Sequence, residues 1–151
     1  DKLTGWSPKK KKAFDEKGNQ ELINYLMSID FYAAPAGLAG LYTAAYVREG
    51  DFRGMLNKMD EVFSYNLFRN GAELPYFRDN IRLLGNSEDK ALVEEGIQRI
   101  DRFMVQDTKP LDKSNLMRVK AFLQKKIGDS AGAEASTKAA ENYLREMRNK
   151  K

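Results

Sequence analysis

The stretch Phe52-Arg53-Gly54-Met55-Leu56-Asn57-Lys58-Met59-Asp60-Glu61-Val62-Phe63 decides the fold. Its bulky apolar residues, Phe52, Met55, Leu56, Met59, Val62 and Phe63, fall at i, i+3, i+4, i+7, i+10 and i+11. That rhythm gathers them on one side of a helix and leaves the polar residues on the other. The spacing predicts a helix over about 52–69. No segment of the chain alternates with the period of two that a half-buried strand requires, so no sheet is expected.

The same reading extends upstream. Gly50-Asp51 breaks the pattern, with glycine suited to the position just past a helix and aspartate suited to cap the next one. Pro35 starts a helix whose stripe is Leu38, Leu41, Tyr42, Ala45 and Tyr46, and Phe31 to Ala34 forms a connector. Before it, Asn19 caps a helix with the stripe Leu22, Ile23, Leu26 and Met27. Residues 1–18 read as a basic arm: Ser7-Pro8 has the form of a cap and first-turn proline, but four lysines at a helix start oppose the macrodipole.

Downstream, Gly71 and Pro75 mark a break, because proline cannot continue the hydrogen-bond ladder into the preceding turn. A short helix through Phe77, Ile81 and Leu84 follows, then a capped turn at Gly85-Asn86-Ser87. The next helix is expected to bury Leu92, Gly96, Ile97, Ile100, Phe103 and Met104. Asp107 to Asp112, with Pro110, reads as the longest loop. A helix over about 113–127 uses Leu116, Val119, Leu123 and Ile127; Gly128-Asp129 ends it, and a last helix packs Ala133, Ala140, Tyr143, Leu144 and Met147. Short links between amphipathic helices favour antiparallel neighbours. The expected fold is all-α: an antiparallel bundle of four main helices with short extra ones, or alternatively an array of helical hairpins. The expected organisation is the arm, 1–18, and one helical domain, 19–151.

Composition narrows the chemistry. Apolar residues at 42% and charged residues at 32% of 151 positions describe a globular chain rather than a disordered one. The chain has no Cys, which excludes disulfides, thiolate metal sites and thiol nucleophiles, and no His, which removes the commonest metal ligand and general base. No Gly-rich phosphate loop, calcium-loop spacing or dinucleotide fingerprint occurs. The acidic pairs Asp60-Glu61 and Glu94-Glu95 point in different directions on their helices, as solvated faces do. Catalysis, a cofactor and a metal are therefore not expected. Neither is a transmembrane segment, since no run nears the ~20 apolar residues that one requires. The chain starts at Asp1 without a signal-like segment and is expected to be a mature or trimmed form.

Charge points to a partner. Residues 1–17 carry six Lys against three acids and residues 140–151 four basic side chains against two acids, leaving sixteen basic and seventeen acidic ones between. The positive excess thus sits at the two ends. Lys9, Lys10, Lys11 and Lys12, with Trp6 beside them and Arg145 and Arg148 at the other end, are the candidate docking residues; they suit a salt-sensitive contact with an acidic surface. A solubilising arm is the plainer alternative. Trp6 anchors the arm either to a partner or to the helices of this chain. The lysine run lacks the interleaved aromatics of a nucleic-acid platform, so no specific nucleic-acid partner is expected.

Two resemblances follow from these segments. Gly50-Asp51, Gly85-Asn86 and Gly128-Asp129 recur at 35 and 43 residues, and Ala121, Gly128, Ala133 and Ala140 fall at small-residue positions. In these respects the last hairpin resembles a tetratricopeptide repeat, which implies a scaffold holding a partner protein or peptide in a concave groove. Over residues 35–106 the chain is similar to the PsbQ-like extrinsic proteins of photosystem II. The likeness is carried by the polar–aromatic turn Gly50-Asp51-Phe52, the hydrophobic-Arg-Asp segment Phe77-Arg78-Asp79-Asn80-Ile81, the charged turn Asn86 to Lys90 and the step Ile100-Asp101, in that order. This resemblance implies a four-helix bundle in the thylakoid lumen, peripheral to the membrane. It also implies a non-catalytic subunit that docks on the photosystem II core and stabilises its oxygen-evolving side.

Overall fold

The computed structural model describes Glu21 and residues 46–64, 74–104 and 108–150. The arm over 1–18, the stripes Leu22 to Met27 and Leu38 to Ala45, the connector 31–34 and the end of the long helix at 65–69 lie outside those residues. So do Gly71 and Asp107. Every regular element among the described residues is helical: α1 Phe52–Ser64, α2 Leu74–Arg82, a 3-10 helix Leu83–Asn86, α3 Lys90–Phe103, α4 Pro110–Ile127 and α5 Ser130–Asn149. The all-α expectation holds, and no described helix is long and apolar enough to cross a membrane. The chain divides into two compact units, Asp1–Glu73 and Leu74–Lys151.

In the first unit, residues 46–48 end a helix at Gly50, which adopts a left-handed φ of 73°. The Gly50 amide donates to the Val47 carbonyl and the Asp51 amide to that of Tyr46, at 3.1 and 2.8 Å. This crossed pair satisfies carbonyls that the helix end leaves open, and only glycine adopts the turn without strain. Asp51 then caps α1, its carboxylate accepting from the Gly54 amide at 2.7 Å. Met55, Leu56 and Met59 are buried as their spacing predicts, and Phe52 is half-buried. Lys58 is buried as well, outside the predicted stripe.

The second unit is organised around α4, which touches α2, the 3-10 helix, α3 and α5. Phe77, Ile81 and Leu84 are buried, as predicted. The rings of Phe77 and Phe103 meet at 5.1 Å with a 51° tilt, joining α2 to α3. Gly96 admits the Leu84 side chain where any Cβ would overlap it. Burial on α3 is shifted from the expected set: Val93, Gly96, Arg99, Ile100 and Phe103 are buried, whereas Leu92, Ile97 and Met104 are half-buried. Arg99 is held by the Glu95 carbonyl at 3.0 Å and the Glu95 carboxylate at 3.5 Å, one turn back. The cap of α3 is Asp89 rather than Ser87. Its carboxylate accepts from the Ala91 and Leu92 amides, while the Ser87 hydroxyl accepts from the Asp89 amide at 3.1 Å.

α4 begins at Pro110, three residues before the predicted start. Proline fits the first helical position, where its missing N–H costs nothing, so Pro110 opens this helix instead of belonging to a loop. α4 ends at Gly128, with a left-handed φ of 89°. The crossed pair recurs there: Gly128 donates to Lys125 at 3.1 Å and Asp129 to Gln124 at 2.9 Å. Asp129 then accepts from the Gly132 amide at 2.9 Å, so the turns at Gly50 and Gly128 share one Gly-Asp-x-x-Gly construction. The Gly85 turn is different in kind, a 3-10 helix without a left-handed residue. Along α5, Ala133, Ser136 and Ala140 are buried, Tyr143 and Leu144 are half-buried, and Met147 is exposed. The Met147 expectation fails because the packing stripe ends about one turn before it.

Candidate partner-docking groove

Trp6, Lys9, Lys10, Lys11 and Lys12 lie outside the described residues. Arg145 and Arg148 are exposed, three residues apart near the C-terminal end of α5, where a cation is favourable against the helix macrodipole. Neither lines the groove that other arginines of this unit form.

The second unit brings together three arginines that composition alone did not single out. α2 and α4 enclose an open groove of about 340 Å³, lined by Arg78, Asp79 and Arg82 from α2 and by Asn115, Arg118, Val119 and Phe122 from α4. Arg78 and Arg82 share a helix face one turn apart, as i and i+4 residues do. On α4, Arg118 and Phe122 stand at the same spacing, beside the buried stripe rather than in it. Val119 belongs to that stripe and is 7% exposed, which gives the groove an apolar wall.

The electrostatics are lopsided. Arg78 donates from Nε to the Oδ1 of its neighbour Asp79 at 2.9 Å, an ion pair that leaves most of the Asp79 carboxyl in solvent. The Arg82 guanidinium lies over the Phe122 ring, 5.6 Å from its centroid. At an exposed site such a cation–π contact is worth about 0.5–1 kcal/mol. Among the described residues no carboxylate pairs with Arg82 or Arg118. Phe122 is 44% exposed, one of three large apolar side chains left in water among the described residues. Its ring rests against Gly85, where a Cβ would overlap it, so the Gly85 turn sets where the ring can lie.

Chemically, the groove can hold carboxylates. Guanidinium groups match a carboxylate with two parallel N–H donors, and one stacked on a ring keeps its N–H edges free for that pairing. A second, shallower depression at the α4–α5 turn, of about 500 Å³, is bordered by Glu94, Gln98, Gln124 and Asp129. Two of these are already engaged: Gln124 accepts from the Ser136 hydroxyl at 2.7 Å, and Asp129 caps α5. Among the described residues no three Asp or Glu side chains gather closely enough to hold a metal ion.

One sequence signal points to the groove: Phe122 lies off the predicted stripe of its helix, with Arg118 four residues before it, and Arg78 sits in the segment Phe77-Arg78-Asp79-Asn80-Ile81. No known protein family matches the chain, and no curated protein or solved structure is significantly similar to it.

Proposed function

We propose that this chain is a non-catalytic docking subunit, held on a larger assembly by salt-sensitive contacts with an acidic surface. The observation that supports it is the α2–α4 groove, where two arginines without carboxylate partners among the described residues flank an exposed phenylalanine. Cations and an aromatic ring left together in water suit a protein interface better than a monomer's surface. Arg145 and Arg148 add positive charge to the same unit, and Lys9, Lys10, Lys11 and Lys12 with Trp6 supply a basic arm that steers encounter.

The finer reading is an extrinsic subunit on the lumenal, oxygen-evolving side of photosystem II, peripheral to the membrane. Its support is the order of the segments Gly50-Asp51-Phe52, Phe77 to Ile81, Asn86 to Lys90 and Ile100-Asp101. A second reading, a tetratricopeptide-like scaffold for a partner peptide, has its own support in the twofold Gly-Asp-x-x-Gly turn and in the burial of Ala121, Ala133 and Ala140. Purification of the native protein at low ionic strength, followed by a high-salt wash, separates these readings. Photosystem II core subunits retained at low salt and released at high salt are the expected outcome. Retention of an unrelated partner in their place would favour the scaffold, and a chain recovered alone at low salt would overturn docking altogether.

A further inference from the structure

We infer that the α2–α4 groove takes a linear acidic segment of a partner protein, with carboxylates for Arg82 and Arg118 and an apolar side chain seated against Phe122. This inference rests on the docking reading and names the chemistry of the partner. The first ground is charge complementarity: the groove presents three guanidinium groups and one carboxylate, and that carboxylate is committed to Arg78. The second is the ring. Phe122 lies under the Arg82 guanidinium and lines the same groove as Val119, so an apolar group entering there leaves water while its flanking carboxylates meet the arginines. The third is openness. The groove between the two helices is open to solvent, which suits a segment of another protein, whereas small molecules favour enclosed pockets.

Other anions fit less well. Arg78 stands at the middle of α2 and Arg82 at its last residue, away from the free amides of the helix start, so a compact dianion such as phosphate gains no backbone donors there. A nucleic acid needs a longer track of cations than three arginines, one of them already paired. Arg82 and Arg118 are both exposed, and reversing their charge leaves the buried stripes of α2 and α4 untouched.

The test uses the full chain and a short fluorescent peptide in which glutamates flank one phenylalanine. Matched probes carry glutamine for glutamate or alanine for phenylalanine, and an oligouridine and inorganic phosphate serve as competitors. The glutamate peptide is expected to bind in a salt-dependent way, to weaken about tenfold or more with R82E/R118E, and to weaken several-fold with F122A. Circular dichroism checks that both variants stay helical. Equal binding of the glutamine peptide, unchanged affinity in R82E/R118E, or stronger displacement by oligouridine or phosphate than by unlabelled peptide would each overturn the inference. Wild-type retention of R82E/R118E on the native assembly would remove the groove's role and leave the docking reading standing. A wild-type chain that retains no assembly removes the docking reading, whatever the peptide does.

Discussion

α4 and α5 form the two arms of one hairpin, with 18 and 20 residues, yet they are buried in opposite styles. α4 carries two buried stripes. Leu116, Val119 and Leu123 form one, and Ser114, Met117, Ala121 and Gln124 form the other. The second faces α5, as the bond from the Ser136 hydroxyl to Gln124 requires. Lys120 ties α4 to α3 through Asp101, 2.8 Å away. α5 carries a single buried stripe of small residues, Ala133, Ser136 and Ala140, flanked by half-buried positions such as Tyr143 and Leu144, and most of its other residues are in water. At its far end the Lys113 ammonium of α4 lies 5.6 Å from the centroid of the Tyr143 ring, which fits an antiparallel pair. The contrast separates two jobs. α4 is the post on which its unit is assembled, and its remaining face is available to form the groove. α5 is a brace whose small residues permit close approach.

That contrast can be broken by changing bulk in opposite directions. Leu123→Ala should cost the most, about 3 kcal/mol, because it removes a fully buried side chain from the central helix; chemical denaturation measures it, and a loss below ~1 kcal/mol would mean α4 is not central. Ala133→Leu should cost about 2 kcal/mol by overpacking a close interface. A neutral result in thermal melts would reveal slack between the helices and remove the brace description. Gly128→Ala should cost about 1 kcal/mol, since nothing crowds the site and only the left-handed backbone resists a side chain. Gly50→Ala tests the matching turn, and unequal losses would show that the two turns are alike in geometry alone. The smallest effect is expected for Lys120→Met, about 0.5 kcal/mol or less, because Asp101 is more than half exposed and solvent screens the pair. A double-mutant cycle with Asp101→Asn checks it.

Much of the architecture was legible where one rule acts locally. The burial of Met55, Leu56 and Met59 on α1 and the Gly128-Asp129 stop depend on neighbours in sequence and are read directly, whereas the side chains of Val62 and Phe63 lie outside the described residues. α4 is harder because its two stripes cover separate sides of the helix, and the spacing marks only Leu116, Val119, Leu123 and Ile127 as core, of which Ile127 is half-buried. Ser114, Ala121 and Gln124 are small or polar, and are buried because α5 lies against them. The start at Pro110 was lost because proline marks loops and first turns alike, and the Asp89 cap because Ser87 is an equally good cap residue. The groove was the least legible feature. Arg78 and Arg82 are separated from Arg118 by some forty residues, and their meeting depends on how α2 packs against α4, which no periodicity encodes.

The twofold Gly-Asp-x-x-Gly turn also bears on the order of assembly. The α4–α5 contacts join residues near in sequence around a turn set by its own side chains, so closing them costs little chain entropy. The α2–α4 contacts close a longer loop that includes all of α3. In stopped-flow refolding, helical signal from the hairpin should therefore precede recovery of peptide binding, and simultaneous recovery would contradict this order. The groove would then be the last part of its unit to form, and binding would report the finished fold rather than a partly assembled one.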